Sequence, residues 1–196
     1  MKQQITYTEL QNLCNRYRLT SFLKSVMNTE FVTVDEILDS DKLTVKEKRF
    51  IVMEMFLENS QERINFGYDI LKVTFPLHEL SYKGNKIING CWKAIENYND
   101  GKIKIGTLNH HKLKIDKLLK EISDDDRTRE NMISRSIILA LYYLCDAYHE
   151  FYNDVDNTYP RVVSILMLDC TDNAIPTSCN IEYLEKVMEF MKEFFS

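Results

Sequence analysis

The sequence predicts an all-α fold, a single-domain irregular bundle of seven to nine helices, and three observations predict it. Only three prolines and five glycines occur in 196 residues, whereas average usage of the two together is roughly 12 %. A many-stranded sandwich or barrel would need more of both at its turns. Apolar residues recur at helical spacing along most of the chain. Threonines followed three residues later by an acid or amide stand where several of those stripes begin, the spacing of a capping box. A hydrophobic share of 44 % and a charged share of 28 % suit a chain that buries a core. Ten phenylalanines, eleven tyrosines and one tryptophan argue against disorder.

Taken in order, Thr8–Gln11, Thr33–Glu36 and Thr44–Glu47 fit the capping box. After Thr44 comes KEKRFIVMEMFLENS, with Phe50, Met53 and Leu57 on one stripe. Ile64, Tyr68, Leu71 and Phe75 then recur at steps of four, three and four, and Pro76 is expected to kink a continuing helix rather than end it. Ile87, Cys91, Ile95 and Tyr98 make the next stripe, stopped by Asn99-Asp100-Gly101. Leu108, His111, Ile115, Leu118 and Ile122 make another. Asp124 to Asp126 open a helix over 127–152 that is apolar nearly all round at its centre, the pattern of a buried central helix. Pro160 precedes Val162–Leu168, which reads as a helix or as a buried strand. A last amphipathic helix starts at Asn180, with Ile181, Leu184, Val187, Met188, Met191 and Phe195 inward. One domain over 1–196 is expected, with 1–42 as a loosely attached N-terminal helical subdomain.

No apolar run reaches the ~18–20 residues of a membrane span, and MKQQITYTEL has no apolar segment of the secretory-signal kind. A cytoplasmic protein without a membrane partner is expected. Five scattered cysteines with no CxxC read as buried reduced thiols, and a Cys170–Cys179 disulfide is the main rival.

The chemical signals are sparse. Asp146-Ala-Tyr-His149 sets a carboxylate and an imidazole on one helix face, but a helical di-metal site needs a second such pair and further carboxylates. The sequence has no HExxH, phosphate-binding loop, GxGxxG or GxSxG. No catalytic residue, cofactor or metal is therefore assigned. The lysines from Lys102 to Lys120 read as a solvated helix face paired with nearby acids, so nucleic acid is not an expected partner.

Charge is uneven. Residues 1–120 hold 19 basic and 15 acidic side chains, whereas 121–196 hold 6 and 15. The acidic part repels phosphate backbones and can attract a basic protein.

Residues 61–103 read QERINFGYDILKVTFPLHELSYKGNKIINGCWKAIENYNDGKI. A helix leads into a proline-containing turn followed by an apolar residue and a glutamate, then a polar loop, then an amphipathic helix ending in glycine. On Val73, Pro76, Leu77, Glu79, Ala94, Ile95 and Gly101 this resembles a helical family of immunity proteins from bacterial polymorphic toxin systems. The chain departs from that family in lacking its Arg-Pro pair and in having Ile- and Tyr-rich later helices. The resemblance implies a non-enzymatic cytoplasmic protein that binds and occludes a cognate toxin domain. The acidic balance adds that the toxin is basic. Tyr152, Asp154, Asp156 and Tyr159, at and beyond the end of the central helix, are the expected protein-binding residues: loop positions on a rigid scaffold suit binding, carboxylates steer encounters and aromatics anchor them. The alternatives are a small metal-dependent or acid/base hydrolase using Asp146, His149 or Glu150, and a nucleic-acid-associated regulator using Lys112 to Lys120.

Overall fold

The computed structural model describes residues 1–17, 20–26, 29–82, 84–122, 129–152, 170–173, 175 and 177–196. Among these, 80 % are helical, in ten helices with one two-stranded ribbon. The all-α reading holds, with slightly more helices than the seven to nine expected. The elements are β1 (Gln4–Thr6), α1 (Tyr7–Tyr17), α2 (Thr20–Val26), β2 (Phe31–Thr33), α3 (Val34–Asp39), α4 (Val45–Met55), α5 (Ser60–Tyr82), α6 (Lys86–Asn99), α7 (Ile105–Glu121), α8 (Arg129–Tyr152), α9 (170–173) and α10 (Asn180–Phe195). Val162–Leu168, expected as helix or strand, lies outside the described residues.

The chain divides into two compact units, Met1–Arg63 with Leu184–Ser196, and Ile64–Tyr183. In the first, β1 and β2 pair antiparallel with Ile5 opposite Val32, and both of these side chains are buried. Each strand ends in a threonine that caps the helix after it. The Thr6 amide and hydroxyl donate to the Glu9 carboxylate at 2.8 and 2.9 Å, and the Glu9 amide returns a bond to Thr6 Oγ1. Thr33 and Glu36 repeat the arrangement at α3, as do Thr44 and Glu47 at α4. The latter two boxes are those expected, but the first is Thr6–Glu9 and not Thr8–Gln11. The ribbon is the reason: β1 keeps the backbone extended through Thr6, so the helix starts at Tyr7 and Thr8 is already inside it.

Two long cations close helix ends in this unit. Lys48 is buried and its Nζ donates to the Leu38 carbonyl at 2.6 Å, where the last turn of α3 has spare acceptors. Arg63 donates to the carbonyls of Met53 and Leu57 at 3.2 and 2.8 Å. Met53 on α4 and Leu57 just beyond its end are buried as expected, whereas Phe50 is only half-buried and Ile51 and Val52 are fully covered.

In the second unit α5 runs unbroken through Pro76, and Ile64, Tyr68, Leu71 and Phe75 are all buried. The single tryptophan, Trp92 of α6, stacks on Phe75 at 4.4 Å and on Tyr68 at 5.8 Å between ring centres. Asn85 caps α6 through bonds from the amides of Ile87 and Ile88. That start turns Ile88, Cys91, Trp92 and Ile95 inward and leaves Ile87 37 % exposed, so Ile88 and not Ile87 begins the buried stripe. Gly101 ends the helix with φ +71. Its amide bonds to the Tyr98 carbonyl and that of Lys102 to Asn97, a Schellman closure that favours glycine.

α8 supplies the centre of this unit: Ile137, Ile138, Ala140, Leu141, Leu144, Cys145, Ala147 and Tyr148 are buried. The Tyr148 hydroxyl donates to Asn99 Oδ1 at 2.8 Å, and burial pushes its pKa far up. Along α10, Tyr183 of this unit and Val187, Met191 and Phe195 of the first are buried at intervals of four, while Ile181, expected inward, is 74 % exposed. Tyr183 takes that place, its hydroxyl donating to Asp172.

Candidate functional site

The described residue that best combines polar chemistry with a concave surface is Lys112, at a pocket between α7 and α8. The pocket has a volume of about 330 Å³ and is lined by Asn109, Lys112, Leu113, Asp116, Tyr142 and His149. Their spacing follows from helix geometry. Positions 109, 112, 113 and 116 share one face of α7, and 142 and 149 share one face of α8, with Asp146 a turn from each.

Lys112 crosses between the helices. Its ammonium donates to Asp146 Oδ1 and lies 4.9 Å from the centre of the Tyr142 ring, within cation–π range. The Lys112 and Asp146 side chains keep only 19 % and 7 % exposure. Burial alone would lower the Lys112 pKa, but the hydrogen bond and charge of Asp146 outweigh it and hold the ammonium above the ordinary lysine value. On the rim, Lys120 donates to Asp116 at 2.6 Å. Leu113 is 67 % exposed, an apolar side chain presented beside the pocket. His111, next to Lys112 in the chain, is half-buried, and burial followed by Lys114 and His110 lowers its pKa.

Asp146 and His149, considered in the sequence as a carboxylate and an imidazole on one helix face, lie a turn apart on α8: His149 lines the pocket, whereas Asp146 is buried and reaches Lys112. The sequence reasoning missed Lys112 as the cross-helix partner of Asp146 and Asn109, Leu113 and Tyr142 as companions. The available signal was a lysine on the same face of α7 as two polar residues a turn away, 109 and 116. Among the described residues no group of three or more His, Cys, Asp or Glu side chains could hold a metal ion, and no helix is long and apolar enough to cross a membrane. The basic stretch is largely neutralised locally: Lys102 pairs with Asp100, Lys120 with Asp116, and Lys112 with Asp146. None of the five cysteines is in a disulfide, Cys170 and Cys179 included.

Of the expected protein-binding residues, Tyr152 is the last residue of α8, while Asp154, Asp156 and Tyr159 lie outside the described residues, as do Asp124 to Asp126. A second hollow of about 390 Å³ has Met132, Ile133, Ser136, Asn173 and Ile175 as its described lining, none of them ionisable. Comparison with protein families, curated proteins and solved structures finds nothing that matches this chain.

Proposed function

We propose that the chain is a non-enzymatic, cytoplasmic immunity protein that binds a basic toxin domain and occludes its active site. The observation that carries this reading is the wiring of the α7–α8 pocket. A general acid or base needs a group poised to exchange its proton near the working pH. Here the Asp146 carboxylate is paired with Lys112 and the Asp116 carboxylate with Lys120. Such a site offers shape and fixed polarity: the exposed Leu113, the Tyr142 ring and a closed ion pair, the kind of surface on which a partner's side chain can seat. The resemblance over 61–103 supplies the toxin as partner, and the acid excess of 121–196 supplies its sign.

The test is co-expression with the toxin domain encoded beside this chain. Restored growth together with a stable complex on gel filtration is expected. Unrelieved toxicity with no complex would sink the reading.

A second reading has one observation in its favour, the placement of Asp146 a turn before the pocket-lining His149 on α8. As a hydrolase the purified protein would lose turnover in His149→Ala. As a metal enzyme it would also hold stoichiometric metal by elemental analysis.

A further inference from the structure

We propose that Cys91 and Cys145 are a latent disulfide site, closed by a small neutral peroxide, that ties α6 to α8. Their sulfurs lie 3.8 Å apart, and both residues are fully buried. A disulfide spans about 2.05 Å, so the sulfurs must approach by about 1.8 Å to bond. The two positions are 54 residues apart in sequence, and nothing in their spacing announces the pair. Cys170 and Cys179 are only half-buried, which makes them the accessible thiols and the internal control.

The chemistry balances with peroxide as the oxidant. The Cys91 sulfur attacks one peroxide oxygen, the O–O bond breaks, and the departing oxygen leaves as water with the proton that the Cys91 thiol gives up. Cys91 is then a sulfenic acid. The Cys145 sulfur attacks the Cys91 sulfur and the S–O bond breaks. The hydroxide leaves with the Cys145 proton as a second water, and an S–S bond remains. Two thiols lose two electrons and two protons, and one peroxide becomes two waters. Cys145 is the second thiol because its hydrogen bond with Cys91, and then burial, hold its proton well above the ordinary thiol range.

Burial also selects the oxidant. A bulky disulfide such as oxidised glutathione cannot reach either sulfur until the unit opens, whereas hydrogen peroxide is close to water in size. In a reducing compartment the pair stays a dithiol. When closed, the bond lies one residue before Asp146, so it anchors to α6 the stretch of α8 that holds Lys112.

The experiment treats the full chain with hydrogen peroxide, alkylates it in denaturant and maps the peptides by mass. The expected product is a Cys91–Cys145 linked pair, lighter by two hydrogens than the separate thiol peptides, reversed by dithiothreitol and accompanied by a higher melting temperature. The same link should form in Cys170→Ser/Cys179→Ser and be lost in Cys145→Ser. Recovery of Cys91 and Cys145 as alkylated thiols under conditions that oxidise Cys170 and Cys179 overturns the proposal, as does linkage of either to another cysteine. Should the Cys145 variant not fold, the map of the unsubstituted chain decides alone.

Discussion

Lys112 on α7 and Asp146 on α8 form an ion pair whose side chains are 19 % and 7 % exposed, bridging the two helices. A pair this far out of water gains little over a well-packed apolar pair, but breaking it on one side strands a charge. Lys112→Met is therefore expected to cost about 3 kcal/mol, the low end for a half-broken buried pair because the lysine keeps some exposure. The double replacement Lys112→Met/Asp146→Leu should recover most of that loss. Urea denaturation of the three proteins measures both quantities. An unchanged midpoint in Lys112→Met would mean that water already solvates the pair.

The same pair fixes an alkaline limit. Lys112 has a raised folded pKa, so its contribution is full below the ordinary lysine value of about 10.4 and is lost as pH climbs through the folded value. Cys14 acts earlier. Burial, and then Glu47, push its thiol up to about 11, above an unfolded value of about 8.5. The folded chain keeps that proton while the unfolded chain releases it, so stability falls with rising pH between those two values. Urea midpoints from pH 8 to 11 should decline, and Cys14→Ala should flatten the first part of the decline. A profile identical in the two proteins would remove Cys14 from the account.

These groups also show what was legible in the sequence. The capping boxes at Thr33 and Thr44, the stripe from Ile64 to Phe75 and the glycine stop at Gly101 were readable because each depends on neighbours within one or two helical turns. Ile87 and Ile181 were misplaced for a common reason: each stands in the first turn of its helix, where a shift of one residue in the start rotates the face by about 100°. Asn85 sets the phase of α6, and Tyr183, with a hydroxyl that finds Asp172, sits on the covered side of α10. Lys112 and Asp146 are 34 residues apart on different helices, so nothing local pairs them. The ribbon was invisible because three-residue strands carry too little alternation to register.

Leu141 is fully covered near the middle of α8. Leu141→Ala removes buried methyl groups where rigid helices cannot close the space, and the expected cost is about 2–5 kcal/mol. A loss below about 1 kcal/mol by chemical denaturation would show that the site collapses freely.

Two glycines predict changes of opposite sign. Gly90 lies inside α6, where an added Cβ would meet nothing nearer than His111 Cε1 at 4.0 Å. Gly90→Ala should stabilise by about 0.5–1 kcal/mol through lost unfolded-state freedom. Gly101 has open space but φ +71, so Gly101→Ala should destabilise by about 1 kcal/mol. Thermal melts of both variants compare them directly, and equal shifts would contradict the backbone argument.

The partner surface gives the last prediction. Leu113 is 67 % exposed beside the pocket, so Leu113→Ala should leave the melting temperature within error. If the pocket seats a side chain of the toxin, the same change should weaken the complex by about 1–2 kcal/mol, chiefly through faster dissociation. Asp154 and Asp156 act differently in this scheme: as charges that steer, their replacement by Asn should slow association and flatten its salt dependence while leaving dissociation nearly unchanged. Kinetics measured at low and high salt separate the two roles. If Leu113→Ala binds with the parent's dissociation rate, the α7–α8 pocket is not where the toxin sits. If the Asp154→Asn/Asp156→Asn protein keeps the parent's salt slope, the steering charge lies elsewhere among the acids of 121–196.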